Sequence, residues 1–388
     1  MKNPPIPYGR QTISDADIQA VVDVLHSDWL TQGPAVELFE QTVATYCGAK
    51  YAVAVNSATS ALHIACLAAD LGSGDTLWTS PNTFVASANC GLYCGAGVDF
   101  VDIDPRTYCL SVTELEKKLE ISKKNGTLPK VVIPVHFAGQ PCEMGRIAEL
   151  AKAYGFAVIE DASHAVGGRF QGANIGNCLF SEMTIFSFHP VKIITTGEGG
   201  MVLTNRRDLY DRLLRLRSHG ITRDPALIEG ENEGAWYYQQ IELGFNYRIT
   251  DMQAALGVSQ MTQLDTFVTR RHELAQRYNH LLSNLPLTLP WQSPEGYSAF
   301  HLYVVRVDTD RTDTSRRQVF DALRAANIGV NIHYIPVHTQ PYYQRMGFSS
   351  VVFSEAERYY AAAISLPMFA GMTEAQQDRV IDVLREAL

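Results

Sequence analysis

The chain has 388 residues, 46% of them hydrophobic and 19% charged, which is enough for a large buried core and for two domains. Its formal net charge of -9 argues against a protein whose work is holding nucleic acid, which normally presents a basic face. No apolar segment approaches the length of a membrane span, and the opening MKNPPIPYGRQTISDADIQ lacks an apolar leader core, so no membrane partner and a cytoplasmic location are expected.

In chain order, Ser14 or Asp15 can cap a first helix, and Gly33-Pro34 breaks the chain before a second. The pattern then alternates. Apolar runs predict strands at 51–55, 76–79, 98–103, 131–135 and 157–160, with helices at 59–71, 84–93, 112–119 and 144–154 between them. Two further strands flank a Gly-rich loop, the first carrying Ile185, Phe186 and Phe188 and the second running over 200–204. Repeated strand-helix-strand units with continuous apolar strands predict an α/β fold: a mostly parallel sheet sandwiched by helices, with its site outside the carboxyl ends of the strands. A long helical run, 251–285, then leads to a strand at 301–307, a helix at 315–326, a strand at 329–333 and a closing helix at 374–388. These predict a large domain over 1–255 with an N-terminal helical arm, and a linking helix with a smaller C-terminal α+β domain over 256–388. The seven cysteines are odd in number and scattered in apolar context, which predicts free thiols. Cys90 and Cys94 have no histidine or second cysteine pair nearby, so no metal site is expected.

Three predicted strand ends deliver polar residues. The first opens a helix with Asn56, Ser57, Ala58, Thr59 and Ser60, which by itself reads first as an ordinary N-cap and second as a seat for a phosphate. The second ends an apolar strand on Asp161, where a carboxylate is costly unless it meets a cation or a donor; His164 follows three residues on. The third carries Ser187 and then Lys192. A lysine between core strands either snorkels to the surface or is kept for Schiff-base chemistry, its pKa lowered by burial. Gly197, Gly199 and Gly200 precede a strand, not a helix, which defeats a dinucleotide-loop reading. A phosphate seat, an acidic partner for a ring nitrogen and a Schiff-base lysine on successive strand ends describe a pyridoxal 5'-phosphate (PLP) site.

The motifs NSATSALH, SPNTFVASAN, EDASHAVG, SFHPVKIITTGEGG, RSHGI, GFNYRITDMQAALG and HYIPVHTQPYY occur in that order. Together they resemble the DegT/StrS family of nucleotide-sugar aminotransferases, and the resemblance covers nearly the whole chain. It implies PLP fold type I, with a sheet of the seven-stranded type. It implies Lys192 as the Schiff-base lysine, Asp161 facing the pyridine nitrogen, His164 beside the ring's 3-oxygen and Phe84 stacking on the ring. Ala58, Thr59 and Ser187 match the phosphate seat, although many members have Gly at the Ala58 position. Asn246 matches a residue that reaches the phosphate from a neighbouring subunit, which implies a homodimer with shared sites. Tyr8, Asp28, Trp29, Leu30, Thr31, His333 and Tyr334 occupy positions that line the nucleotide-sugar groove in similar enzymes. SDWLTQGP, NSATSALH, SFHPVK followed by ITT, and RSHGI point within the family to C4 amination of a UDP-4-keto-6-deoxy-N-acetyl-altrosamine by L-glutamate, in pseudaminic acid biosynthesis. A transaminase for another UDP- or dTDP-linked keto sugar is the nearest alternative, and a PLP-binding regulator without turnover a more distant one. Lys192 argues against the related sugar dehydratases, in which histidine replaces the lysine.

Overall fold

The computed structural model of the protein describes residues 4–388. Helix α1 (Asp15–Leu25) starts at Ser14, whose side chain and that of Asp17 satisfy each other's backbone N–H. Such a reciprocal cap contributes about 1 kcal/mol. Helix α2 (Pro34–Cys47) begins with proline in its first turn and ends on Gly48 in the left-handed conformation.

The central sheet takes β1 (Tyr51–Val55), β2 (Thr76–Thr79), β3 (Gly97–Phe100), β4 (Val131–Ile133) and β5 (Ala157–Asp161), together with strands Met183–Ser187 and Gly200–Thr204. Its seven strands lie in the order β1, Gly200–Thr204, Met183–Ser187, β5, β4, β2, β3. Only Gly200–Thr204 runs antiparallel to its neighbours. Alternate residues of the strands feed two cores, one on each face. Phe186, Met201 and Leu203 join Phe39 and Trp78 in the first, while Ile185 and Val202 join Val53, Leu77 and Ile133 in the second. Burying a side chain of this size contributes about 1.5–3 kcal/mol. Helices α3 (Ala58–Ala68) and α4 (Ala86–Tyr93) pack against each other on the second core.

A third core gathers Ile6, Tyr278, Tyr303, Leu323 and Val380 around a three-stranded antiparallel sheet of Leu287–Thr288, Tyr303–Val307 and Ala363–Leu366. The chain's opening segment belongs to this core, since Ile6 bridges Ile328.

Several expected elements change length for local reasons. The strand expected at 131–135 stops at Ile133 because Pro134 has no N–H to give the ladder. The helix expected at 112–119 continues to Asn125 and closes on Gly126 with a left-handed φ of 68°. The single helix expected over 251–285 is two, Asp251–Met261 and Leu264–Leu282. Thr262 and Gln263 donate back three residues to Ser259 and Gln260, and that tight turn ends the first helix. The strand expected at 329–333 is not one: Gly329 donates to Ile6, whereas Asn331 pairs with Ser365, so no continuous ladder forms. Among the described residues, no helix is long and apolar enough to cross a membrane.

Candidate active site

The register of the sheet brings the polar strand ends together. Val55 at the end of β1 pairs with Gly200, Gly200 pairs with Ser187, and Asp161 at the end of β5 pairs with Ile185. A cavity of about 530 Å³ opens at this edge, lined by Ser57, Ala58, Thr59, Phe84, Asp161, His164, Ser187 and Lys192 among others.

Ser57 caps α3, its hydroxyl accepting from Ser60 N–H at 3.1 Å. That leaves the helix dipole and the first-turn amides facing the cavity wall formed by Ala58 and Thr59. Gly200 is needed opposite this turn, because a Cβ there would overlap the Ser57 carbonyl group and the Ala58 amide. Ser187, 7% exposed, ends the neighbouring strand at the same seat.

Asp161 is 5% exposed. Its Oδ1 accepts from Ser163 N–H at 3.1 Å and its Oδ2 from the Ser87 hydroxyl at 2.6 Å. Lys192 is the one lysine among the cavity's described residues, and no arginine lines it. Burial pushes the Lys192 ammonium down from 10.5 to about 8, with Asp161 opposing the shift. The neutral amine is the nucleophile. The apoprotein is therefore expected to capture PLP covalently at a rate that rises with pH, half-maximal near pH 8 and level above it. Stopped-flow absorbance across pH 6 to 10 checks this, and a midpoint near that of free lysine, about 10.4, would contradict it.

His164 Nδ1 accepts from Ala138 N–H at 3.3 Å, so the neutral ring carries its proton on Nε2 and offers it to the Tyr334 hydroxyl at 3.0 Å. Burial, then the charges of Lys192 and His333, hold His164 well below the usual histidine range. His333 is held at about 3 by burial and Lys192, with Nδ1 2.8 Å from the Ser365 hydroxyl. Tyr8 packs its ring 5.6 Å from that of His333. Phe84, 58% exposed, stands in the turn before α4 with its ring 6.2 Å from Tyr334. The helix predicted from residue 84 thus begins two residues later and leaves Phe84 free to present its face.

Not every expected residue gathers here. Asn246 is exposed, bridges Ser218, and is not part of the cavity lining. Asp28, Trp29, Leu30 and Thr31 form an exposed loop after α1, also outside the lining. These two segments are neighbours: Thr31 bridges Thr250, and Asp251 accepts from Gly33 and Ala35.

Ser87, Ser163 and His301 were not expected. Ser87 had a signal, since Thr83 and Ser87 in SPNTFVASAN are spaced to share a helix face. His301 had none. It lines the cavity with its ring 4.5 Å from that of His164, and Arg271, 2% exposed, donates to the Phe300, His301 and Met368 carbonyls behind it.

These donors fit PLP. The glycine-opposed helix start suits a phosphate, the doubly hydrogen-bonded carboxylate a ring N–H, and the depressed lysine an aldehyde. The fold and the site define a PLP-dependent aminotransferase of fold type I. Residues 11–385 match the DegT/DnrJ/EryC1/StrS aminotransferase family, and the chain belongs to that family of sugar aminotransferases. SpsC, a spore coat polysaccharide biosynthesis protein of Bacillus subtilis, is 38% identical over 98% of this chain and 96% of its own. PseC of Helicobacter pylori, an aminotransferase involved in pseudaminic acid biosynthesis, superposes with a TM-score of 0.90 at 28% identity over 99% of each chain. Spr1654 of Streptococcus pneumoniae in its PLP form superposes with a TM-score of 0.88 at 26% identity, over 99% of this chain and 100% of that one.

Proposed function

We propose that this enzyme aminates C4 of UDP-4-keto-6-deoxy-N-acetyl-beta-L-altrosamine with L-glutamate as amino donor, in pseudaminic acid biosynthesis. The likeness of the whole chain to PseC carries this reading. It is supported by a cavity large enough for a cofactor and a sugar, lined by hydrogen-bonding groups and no fixed guanidinium. The relationship to SpsC favours a second reading, in which the acceptor is another nucleotide-linked keto sugar destined for a polysaccharide.

When bound, PLP supplies an aldehyde for the amine and a ring that takes up negative charge. Lys192 would hold the cofactor covalently through its Nζ. Its Nζ would take the proton from the donor's Cα as the neutral amine and give one to the sugar's C4 as the ammonium, and a pKa near 8 suits both transfers. Asp161 would hold the proton on the ring nitrogen, and Ala58, Thr59 and Ser187 would hold the phosphate. Phe84 would cover one ring face. His164, fixed as the Nε2–H tautomer by Ala138, orients Tyr334 against the reacting centre. Tyr8, His333 and Tyr334 line the sugar groove.

The remaining residues act across a homodimer. Asn246 and the loop of Asp28, Trp29, Leu30 and Thr31 serve the partner's cavity. That accounts for their exposure and for the exposed apolar side chains nearby in sequence, Trp236 at 72% and Leu243 at 77%.

Holoenzyme mixed with L-glutamate, followed by mass spectrometry after a panel of UDP- and dTDP-linked keto sugars is added, tests the proposal. The visible band of the bound cofactor is expected to bleach with glutamate and to recover only with the UDP-4-keto-altrosamine derivative. Recovery on a different keto sugar would replace the substrate, and no bleaching would remove the amino donor.

A further inference from the structure

Behind Asp161 lies a line of hydroxyls. Asp161 Oδ2 is 2.6 Å from Ser87 Oγ, and Ser87 Oγ is 2.8 Å from Thr83 Oγ1. Ser87 is 0% exposed and Thr83 2%. The direction of the line follows from counting protons. A carboxylate can only accept, so the single hydroxyl proton of Ser87 goes to Asp161; the bond between the two hydroxyls must then be donated by Thr83.

A serine in the first turn of a helix usually turns its hydroxyl back to local backbone. Ser87 instead reaches across to a strand 74 residues away in sequence, and its own N–H is bonded separately to the Phe84 carbonyl at 3.2 Å. The turn that presents the Phe84 ring is thus the turn that grips Asp161. With Ser163 N–H on Oδ1, both oxygens of Asp161 are fixed from the protein side. The carboxylate cannot rotate without breaking one of these bonds.

We propose that Thr83 and Ser87 are positioning residues: their hydroxyl relay sets the orientation of the Asp161 carboxylate so that it meets the ring nitrogen of the cofactor. The same turn sets the height of Phe84 over that ring. Neighbouring bonds in such a chain polarise one another, so losing either hydroxyl weakens the grip on Asp161. The inference rests on the PLP site but not on which sugar is aminated.

The test is Ser87→Ala in the holoenzyme, read by nitrogen-15 NMR of ring-labelled PLP and by the rate of the half-reaction with L-glutamate. The ring nitrogen signal is expected to move from the pyridinium position toward that of neutral pyridine. The half-reaction is expected to slow about ten- to a hundredfold, the usual worth of one hydrogen bond to a charged group. A purely structural serine would lower the melting temperature and leave the nitrogen signal in place, and that result overturns the proposal. Thr83→Val removes only the upstream bond. It should shift the signal in the same direction by less and slow the half-reaction about threefold, and an unchanged signal in this folded variant equally overturns the relay. If wild-type enzyme does not react with glutamate, the amino-donor assignment fails, while the comparison of nitrogen signals still decides the relay.

Discussion

Replacing Lys192 with alanine is expected to abolish transamination, by about ten-thousandfold or more, without unfolding the protein. The size follows from the two roles proposed for the side chain, covalent attachment and proton transfer. Intact folding follows from its surroundings. The Lys192 backbone N–H is bonded to the His189 carbonyl, a bond the substitution leaves in place. Because burial lowers its pKa from 10.5 to about 8, the folded protein binds fewer protons than the unfolded chain between those values. Stability therefore rises with pH across that window, and below pH 8 the full penalty of the buried ammonium is present. Removing the lysine removes the penalty. The apo form of Lys192→Ala should melt at or above the wild-type temperature at pH 7. The depressed pKa values of His164, His301 and His333, to each of which the Lys192 charge contributes after burial, should move up. Borohydride reduction followed by intact-mass measurement should find cofactor attached to the wild type and none on the variant. Substantial turnover in a well-folded Lys192→Ala protein would falsify the assignment of this residue.

Much of the sheet was legible because its strands are continuous apolar runs that a parallel sheet buries on both faces. Ile185, Phe186, Val202 and Leu203 are all 0% exposed, and a run of that kind has few other uses. The strand ends were legible for the complementary reason, that Asp161 and Lys192 are expensive where they stand unless they do chemistry. What the sequence left open depends on partners distant along the chain. Residues 329–333 have the composition of a strand, yet their hydrogen bonds go to Ile6 at one end and Ser365 at the other, and no local pattern announces a change of partner. His301 opens a strand-like segment and looks like a core residue until the segment is bonded to Ala138 and Gly139, which carries the imidazole against His164. Ser87 shares a helix-face spacing with Thr83, but its partner Asp161 lies 74 residues further along the chain, and no local pattern announces that bond. Asn246 and Trp29 could be named from motifs, but neither is in the lining of the active-site cavity.

Asp161→Asn should separate attachment from turnover. The substitution is nearly isosteric, so packing around the end of β5 is kept, but the hydrogen bonding cannot be. Asp161 now accepts from Ser163 N–H on one oxygen and from the Ser87 hydroxyl on the other. An asparagine has one acceptor oxygen, so its NH₂ must face one of those donors or the ring nitrogen. In the last case a donor confronts an N–H, and the ring cannot keep its proton. Transamination is expected to fall by roughly a hundred- to a thousandfold, comparable to removing one preorganised electrostatic group from an enzyme site. Attachment should survive. Asp161 is the charge that raises the Lys192 pKa against burial, so its loss pushes that pKa further below about 8 and leaves more neutral amine at pH 7. Covalent capture of PLP by Asp161→Asn should then be as fast as in the wild type or faster at neutral pH, and the half-reaction with glutamate slow. Paired stopped-flow measurements of the two steps decide the matter. Slow capture with normal subsequent chemistry would mean that Asp161 serves Lys192 and not the ring nitrogen, whereas the opposite pattern puts the carboxylate where the electrons are withdrawn.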